Sequence, residues 1–156
     1  MYKLVIVFFA IFFNACSTSS NNVEKINKVF DTTYFEAVEK KLLFETEIPA
    51  DLKDIINEWF KEKIKVNGYD GLVTIKVLNF TQLSEELDGE KKITLKLDVS
   101  VIIDKPALKS TKTHQLSVEE YGSISGNYSI KDYENVIANT MVNLIQRLNE
   151  GLNSKI

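Results

Sequence analysis

Between Ile93 and Ile103 the chain alternates: Ile93, Leu95, Leu97, Val99, Val101 and Ile103 fall on one side, Thr94, Lys96, Asp98 and Ser100 on the other. Successive side chains of a strand point to opposite faces, so this run commits the stretch to a strand with one buried face and one wet face. The remaining sequence must then supply a cover for the apolar side. Two segments can. Leu52, Ile55, Ile56, Trp59, Phe60 and Ile64 recur at the three-and-four spacing of an amphipathic helix. Pro49 stands where a first helical turn tolerates it, and Gly68 is the expected stop. Tyr133, Val136, Ile137, Met141, Leu144, Ile145 and Leu148 repeat that spacing near the C-terminus. Ser129, with Asp132 three residues on, is a capping-box-like start for this second helix, and Gly151 lies near its end.

The other segments read as strands. Phe35 to Glu45 carries Val38, Leu42 and Phe44 and is interrupted on its core face by Lys40. Val73, Ile75 and Val77 alternate, and Val77-Leu78 followed by Phe80 shifts the apolar phase, as a bulge or a strand end would. Asp88-Gly89 is a hairpin signal, because glycine accepts positive φ without steric cost. Asp104-Lys105-Pro106 turns the chain into a further strand from about Leu108 to Val118. The order strand-helix-strand-strand-strand-helix predicts an α+β two-layer sandwich. Both amphipathic helices should lie on one face of a roughly four-stranded mixed or antiparallel sheet, the face that holds Leu95, Leu97 and Val99.

Ahead of this domain, Lys3 precedes an uncharged apolar stretch from Leu4 to Phe13, then Asn14-Ala15-Cys16 and the polar run Ser17 to Asn22. The pattern is that of a signal peptide. Its apolar part is half the roughly 20 residues that a membrane-spanning helix needs. Cys16 is the single cysteine, which excludes an intramolecular disulfide and a cysteine metal cage. A small residue and a cysteine closing an apolar run, followed by a Ser/Asn-rich tether, resemble the lipobox of bacterial lipoproteins; Phe13 and Asn14 depart from the Leu and the Ala or Ser usual there. The resemblance implies cleavage before Cys16, a thioether-linked diacylglycerol on its sulfur and acylation of the new N-terminus. The implied organisation is residues 1–15 signal peptide, 16–30 lipidated cysteine and tether, and 31–156 one domain; Val23 to Thr33 fits either tether or a first strand. Ser17 follows the cysteine where Asp would imply retention at the inner membrane, so the analogy favours the outer membrane, facing the periplasm.

The formal charge is −3, and only Lys3 among the charged residues precedes Cys16. So acidic a chain lacks the footprint of a nucleic-acid binder. A catalytic constellation is equally hard to assemble. His114 is the only histidine, so a zinc site would need three carboxylates around it, and no nucleophile-elbow pattern occurs. Glu85-Glu86 and Asp88-Gly89-Glu90 lack calcium-loop spacing, and Gly122 to Gly126 lacks the lysine and the spacing of a phosphate loop. No cofactor and no metal are expected. The layout resembles small periplasm-facing lipoproteins, among them the auxiliary lipoprotein of lipid-transporting ABC systems and the lipopolysaccharide-assembly lipoprotein. That resemblance implies a non-catalytic accessory anchored through Cys16 that binds another envelope protein. The alternatives are a binder sheltering a small amphiphile between sheet and helices and, more remotely, an enzyme working through His114. Three aromatics are the contact candidates. Trp59 is a core residue by its stripe, or else stands at the rim of a groove between the helices. Tyr121 and Tyr128, near the loop before the last helix, serve packing or partner contact.

Overall fold

The computed structural model describes residues 30–155. The expected signal peptide, Cys16 and all of the expected tether before Phe30 lie outside the described residues. Among the described residues, six strands and two helices follow one another: β1 Thr33–Phe35, β2 Glu39–Phe44, α1 Ala50–Lys63, β3 Ile64–Val66, β4 Leu72–Leu87, β5 Glu90–Lys105, β6 Ser110–Ser125 and α2 Ile130–Lys155. The main sheet has the order β2-β4-β5-β6, with β2 parallel to β4 and the other pairs antiparallel. β1 and β3 form a separate two-stranded parallel ribbon. The architecture is the expected α+β sandwich of two helices on a mixed four-stranded sheet, with the small ribbon added.

The alternating residues of β5 form the floor of the core. Ile93, Leu95, Leu97, Val99 and Val101 are buried, flanked by Val73, Ile75 and Val77 of β4 and Leu116 of β6. Above them lie Leu52, Ile55, Ile56 and Trp59 of α1 and Met141, Leu144, Ile145, Leu148 and Leu152 of α2. Burying one such side chain contributes about 1.5–3 kcal/mol, so this shared face is what holds the helices down. The expected phase shift in β4 is a bulge, where the register with β5 slips between Val77 and Asn79. It returns Phe80 to the core side opposite Leu97. At the hairpin, Asp88 and Gly89 both take positive φ, 52° and 76°, the pairing of a two-residue turn that matches strand twist.

Several boundaries differ from the sequence reading. The single strand expected from Phe35 to Glu45 is two: β1 ends at Phe35 and β2 starts at Glu39, because Ala37 and Gly68 pair their backbones between the ribbon and the sheet. The first helix stops at Lys63 rather than before Gly68, and Ile64 opens β3 with extended φ −91° and ψ 115°. Lys40 explains that stop. It faces the core side of β2 with Leu42 and Phe44 and donates its ammonium to the carbonyls of Phe60 at 2.8 Å, Lys61 at 3.2 Å and Ile64 at 2.5 Å. Those are the carbonyls a helix leaves without partners at its C-terminus, where a cation is also favoured by the dipole. Burial, and then the neighbouring Lys65, hold the Lys40 ammonium below the usual lysine value. The strand expected to start at Leu108 starts at Ser110 and runs on to Ser125, after a 3-10 turn over Pro106–Leu108. Gly151 lies inside α2.

Candidate functional site

Trp59 is the first candidate the structure places. It is 0 % exposed. Its Nε1–H donates to Oδ1 of Asn149 at 2.9 Å, while Nδ2 of Asn149 donates to the Asp31 carbonyl at 3.0 Å. Thr33 Oγ1–H donates to Asn153 Oδ1 at 2.6 Å. One buried polar chain thus joins α1, α2 and the segment leading into β1. Trp59 belongs to the core, and the reading that set it at a groove rim is corrected: the helices meet over it and leave no surface a partner could reach.

Tyr121 and Tyr128 are near in sequence, yet the fold sends them to opposite faces. Tyr121 pairs across β5 with Thr94, on the side of the sheet away from the helices, and is 61 % exposed. Leu83 of β4 lines up with the same Thr94, and Lys92 Nζ stands 4.9 Å from the Tyr121 ring centre. Tyr128 precedes α2, stacked on Tyr133 with ring centres 6.4 Å apart. Tyr133 in turn lies under Lys91 Nζ at 4.5 Å. Tyr128 therefore packs the start of α2, whereas Tyr121 with Leu83 forms an exposed apolar spot on the outer face. Polar contacts on that face include Asp98, which accepts from Ser117 Oγ at 2.6 Å, and Lys76, which pairs with Glu45 at 2.7 Å.

The space between sheet and helices is occupied by protein side chains. Ile55, Ile56, Trp59, Leu144 and Ile145 pack there at 3 % exposure or less, which counts against the alternative of an amphiphile sheltered between sheet and helices. One open volume lies elsewhere. A groove of about 630 Å³ lies where α2 ends short of the sheet, lined by Tyr34, Phe35, Glu36, Ile103, Lys105, Leu108, Ser110, Lys112, His114 and Lys155. The Ala107 amide donates to Asp70 at 3.0 Å and fixes the turn that carries Leu108. Lys105 pairs with Glu36 at 3.0 Å, and Lys155 Nζ donates to the Gln115 carbonyl at 3.2 Å. The sequence reading singled out His114 as the only histidine, with Lys112 two residues before it, and did not bring Lys105 and Lys155 to it. A signal was present: Lys112 and His114 share the core-facing parity of Leu116 in β6. Polar residues at core-facing positions mark where the helical cover stops. Among the described residues no group of three or more His, Cys, Asp or Glu side chains is placed to hold a metal.

No protein-family model matches the chain, and no curated protein matches it by sequence. Solved structures do match by shape. A minor lipoprotein from Acinetobacter baumannii superposes with a TM-score of 0.51 at 16% identity, over 76% of this chain and 93% of that one. The rare lipoprotein B from Shewanella oneidensis gives 0.52 at 10% identity, over 74% and 94%. The fold is shared with these two bacterial lipoproteins.

Proposed function

We propose that the protein is a lipid-anchored, non-catalytic accessory of the bacterial envelope that binds another envelope component, in lipid or lipopolysaccharide transport or in outer-membrane assembly. The observation that carries this reading is the joining of the Asn14-Ala15-Cys16 segment to a domain folded like two bacterial lipoproteins. Two acyl chains on Cys16 would anchor stably, at about 0.8 kcal/mol for each buried methylene. Ser17 after the cysteine favours the outer membrane, with the domain in the periplasm. Confinement to a layer beside the membrane raises the effective concentration of domain and partner, so a modest interface suffices. Tyr121 with Leu83, exposed on the outer face, is the spot for a partner to meet.

The test is intact mass and membrane fractionation of the protein made in a two-membrane bacterium, beside a Cys16→Ser variant. The expected wild type lacks Met1 to Ala15, carries added lipid mass and fractionates with outer membrane, while the variant does none of these. A photocrosslinking residue at position 121 should then capture an envelope protein, and one at position 59 should not. Equal, unlipidated behaviour of wild type and variant would remove the anchor and the accessory role with it.

A further inference from the structure

The geometry points to the groove beside β1 as a binding site for a single-chain amphiphile with an anionic headgroup, a carboxylate or a phosphate monoester. Its volume of about 630 Å³ falls within the roughly 300–1,000 Å³ typical of small-molecule sites. Tyr34 and Phe35 of β1, Leu108 of the turn and Ile103 of β5 supply apolar side chains, with the paired Lys105 and Glu36 among them, whereas Lys112 and His114 of β6 and Lys155 of α2 supply polar ones. Such a division suits a ligand with one charged end and one apolar body.

The charge is also local. The protein as a whole is acidic, at −3, yet this groove holds three lysines against the single carboxylate of Glu36. That carboxylate is already engaged with Lys105. Among the described residues no carboxylate pairs with Lys112 or Lys155, which leaves two uncompensated ammonium groups on one wall. Lys112 stands directly opposite Ile103 on the core-facing side of the sheet, exposed where the helical cover stops, so its ammonium is open to a ligand. This site goes beyond the anchored accessory role and does not depend on it, since none of its residues belongs to the N-terminal segment.

His114 is the only histidine in the chain, so its ring signals in an NMR spectrum of the full-length protein report on this groove and no other. Laurate and dodecyl phosphate are expected to move those signals at saturable concentrations. Monolaurin, with the same tail and no charge, should bind about tenfold more weakly, and acetate should leave the signals unmoved. Lys112→Glu should weaken laurate about tenfold, whereas Lys96→Glu, on the outer face, should not. A response to only one of the two anions would support the site and name its headgroup. Equal affinity for laurate and monolaurin together with an unaffected Lys112→Glu variant would reduce the groove to an apolar patch. Laurate binding without movement of His114, no binding of either anion, or tighter binding of a Glu-rich octapeptide than of laurate would each overturn the assignment.

Discussion

Asn149 shows how much one polar residue can organise in an apolar interior. It is 2 % exposed on a helix that otherwise turns Leu144, Ile145, Leu148 and Leu152 to the core. Leucine would be the ordinary choice at such a position. Asparagine there accepts from the buried Trp59 indole N–H, which would otherwise lack a partner, and donates to the Asp31 carbonyl. Leaving a buried donor or acceptor unsatisfied costs about 1–3 kcal/mol, more than the net gain from a typical hydrogen bond. Asn149→Ala removes a partner from both and opens a small void, so the expected loss is about 2–4 kcal/mol of unfolding free energy. Urea denaturation followed by fluorescence measures it directly, because Trp59 is the only tryptophan and sits at the altered contact. A loss below about 0.5 kcal/mol, the range of an ordinary surface change, would mean the chain from Trp59 to Asp31 does not hold the helices together.

Among the elements, α2 shows best what the sequence discloses and where it stops. Its start was legible because a cap is local chemistry. Ser129 and Asp132 bond reciprocally: the Ser129 amide and hydroxyl donate to Asp132 Oδ2 at 2.9 and 2.7 Å, and the Asp132 amide donates to Ser129 Oγ at 3.2 Å. Its apolar stripe was legible because period 3.6 is written in neighbouring residues. Its continuation through Gly151 was not, since packing overrides the weak preference of one glycine against helix. Gly122 makes the same point from the strand side. A Cβ there would meet Thr140 and come within 2.8 Å of Val136 Cγ1, a close helix approach that no pattern within β6 announces. The β1–β3 ribbon and the groove escaped for a related reason, as both depend on which distant segments become neighbours. The cap carries a pH prediction. The hydrogen bonds from Ser129 hold the Asp132 carboxyl below the usual carboxylate range. A depressed folded-state value means the contribution is present above the ordinary value near about 4 and is lost as the pH falls through the folded value. An NMR titration of the Asp132 carboxyl carbon should therefore show a midpoint below that range, and Ser129→Ala should return it upward. Identical titrations in both proteins would refute the linkage.

The proportions of the whole molecule explain why it has both a hard centre and open ends. β4, β5 and β6 each run 16 residues, or about 53 Å at 3.3 Å per residue. α2 has 26 residues and spans about 39 Å, and α1, with 14, about 21 Å. The helical layer is therefore shorter than the sheet and must leave it uncovered somewhere. At one end lies the Asp88-Gly89 hairpin, where Gln82 to Glu86 and Asp88 to Glu90 are exposed. At the other lies the groove, where Lys112 and His114 replace the aliphatic residues that the covered centre demands. Local opening free energy follows buried apolar contact, so the molecule should not unfold locally at one rate throughout. Native-state hydrogen exchange is expected to find the slowest amides in β5 between Leu95 and Val101, beneath both helices. The hairpin tip from Glu85 to Glu90 should exchange orders of magnitude faster although its ladder is fully paired, because Glu85, Glu86, Asp88, Gly89 and Glu90 are exposed. The ribbon makes the sharper case. β1 and β3 have three residues each, too few for a two-stranded pair to persist unaided, yet Phe35 and Ile64 within it are buried and Thr33 is bonded to α2. Its amides should fall between the two extremes, and Asn149→Ala should speed them while leaving the hairpin tip unchanged. Ribbon amides as slow as those of β5, or indifferent to Asn149→Ala, would show that the ribbon is held by something other than its polar link to α1 and α2.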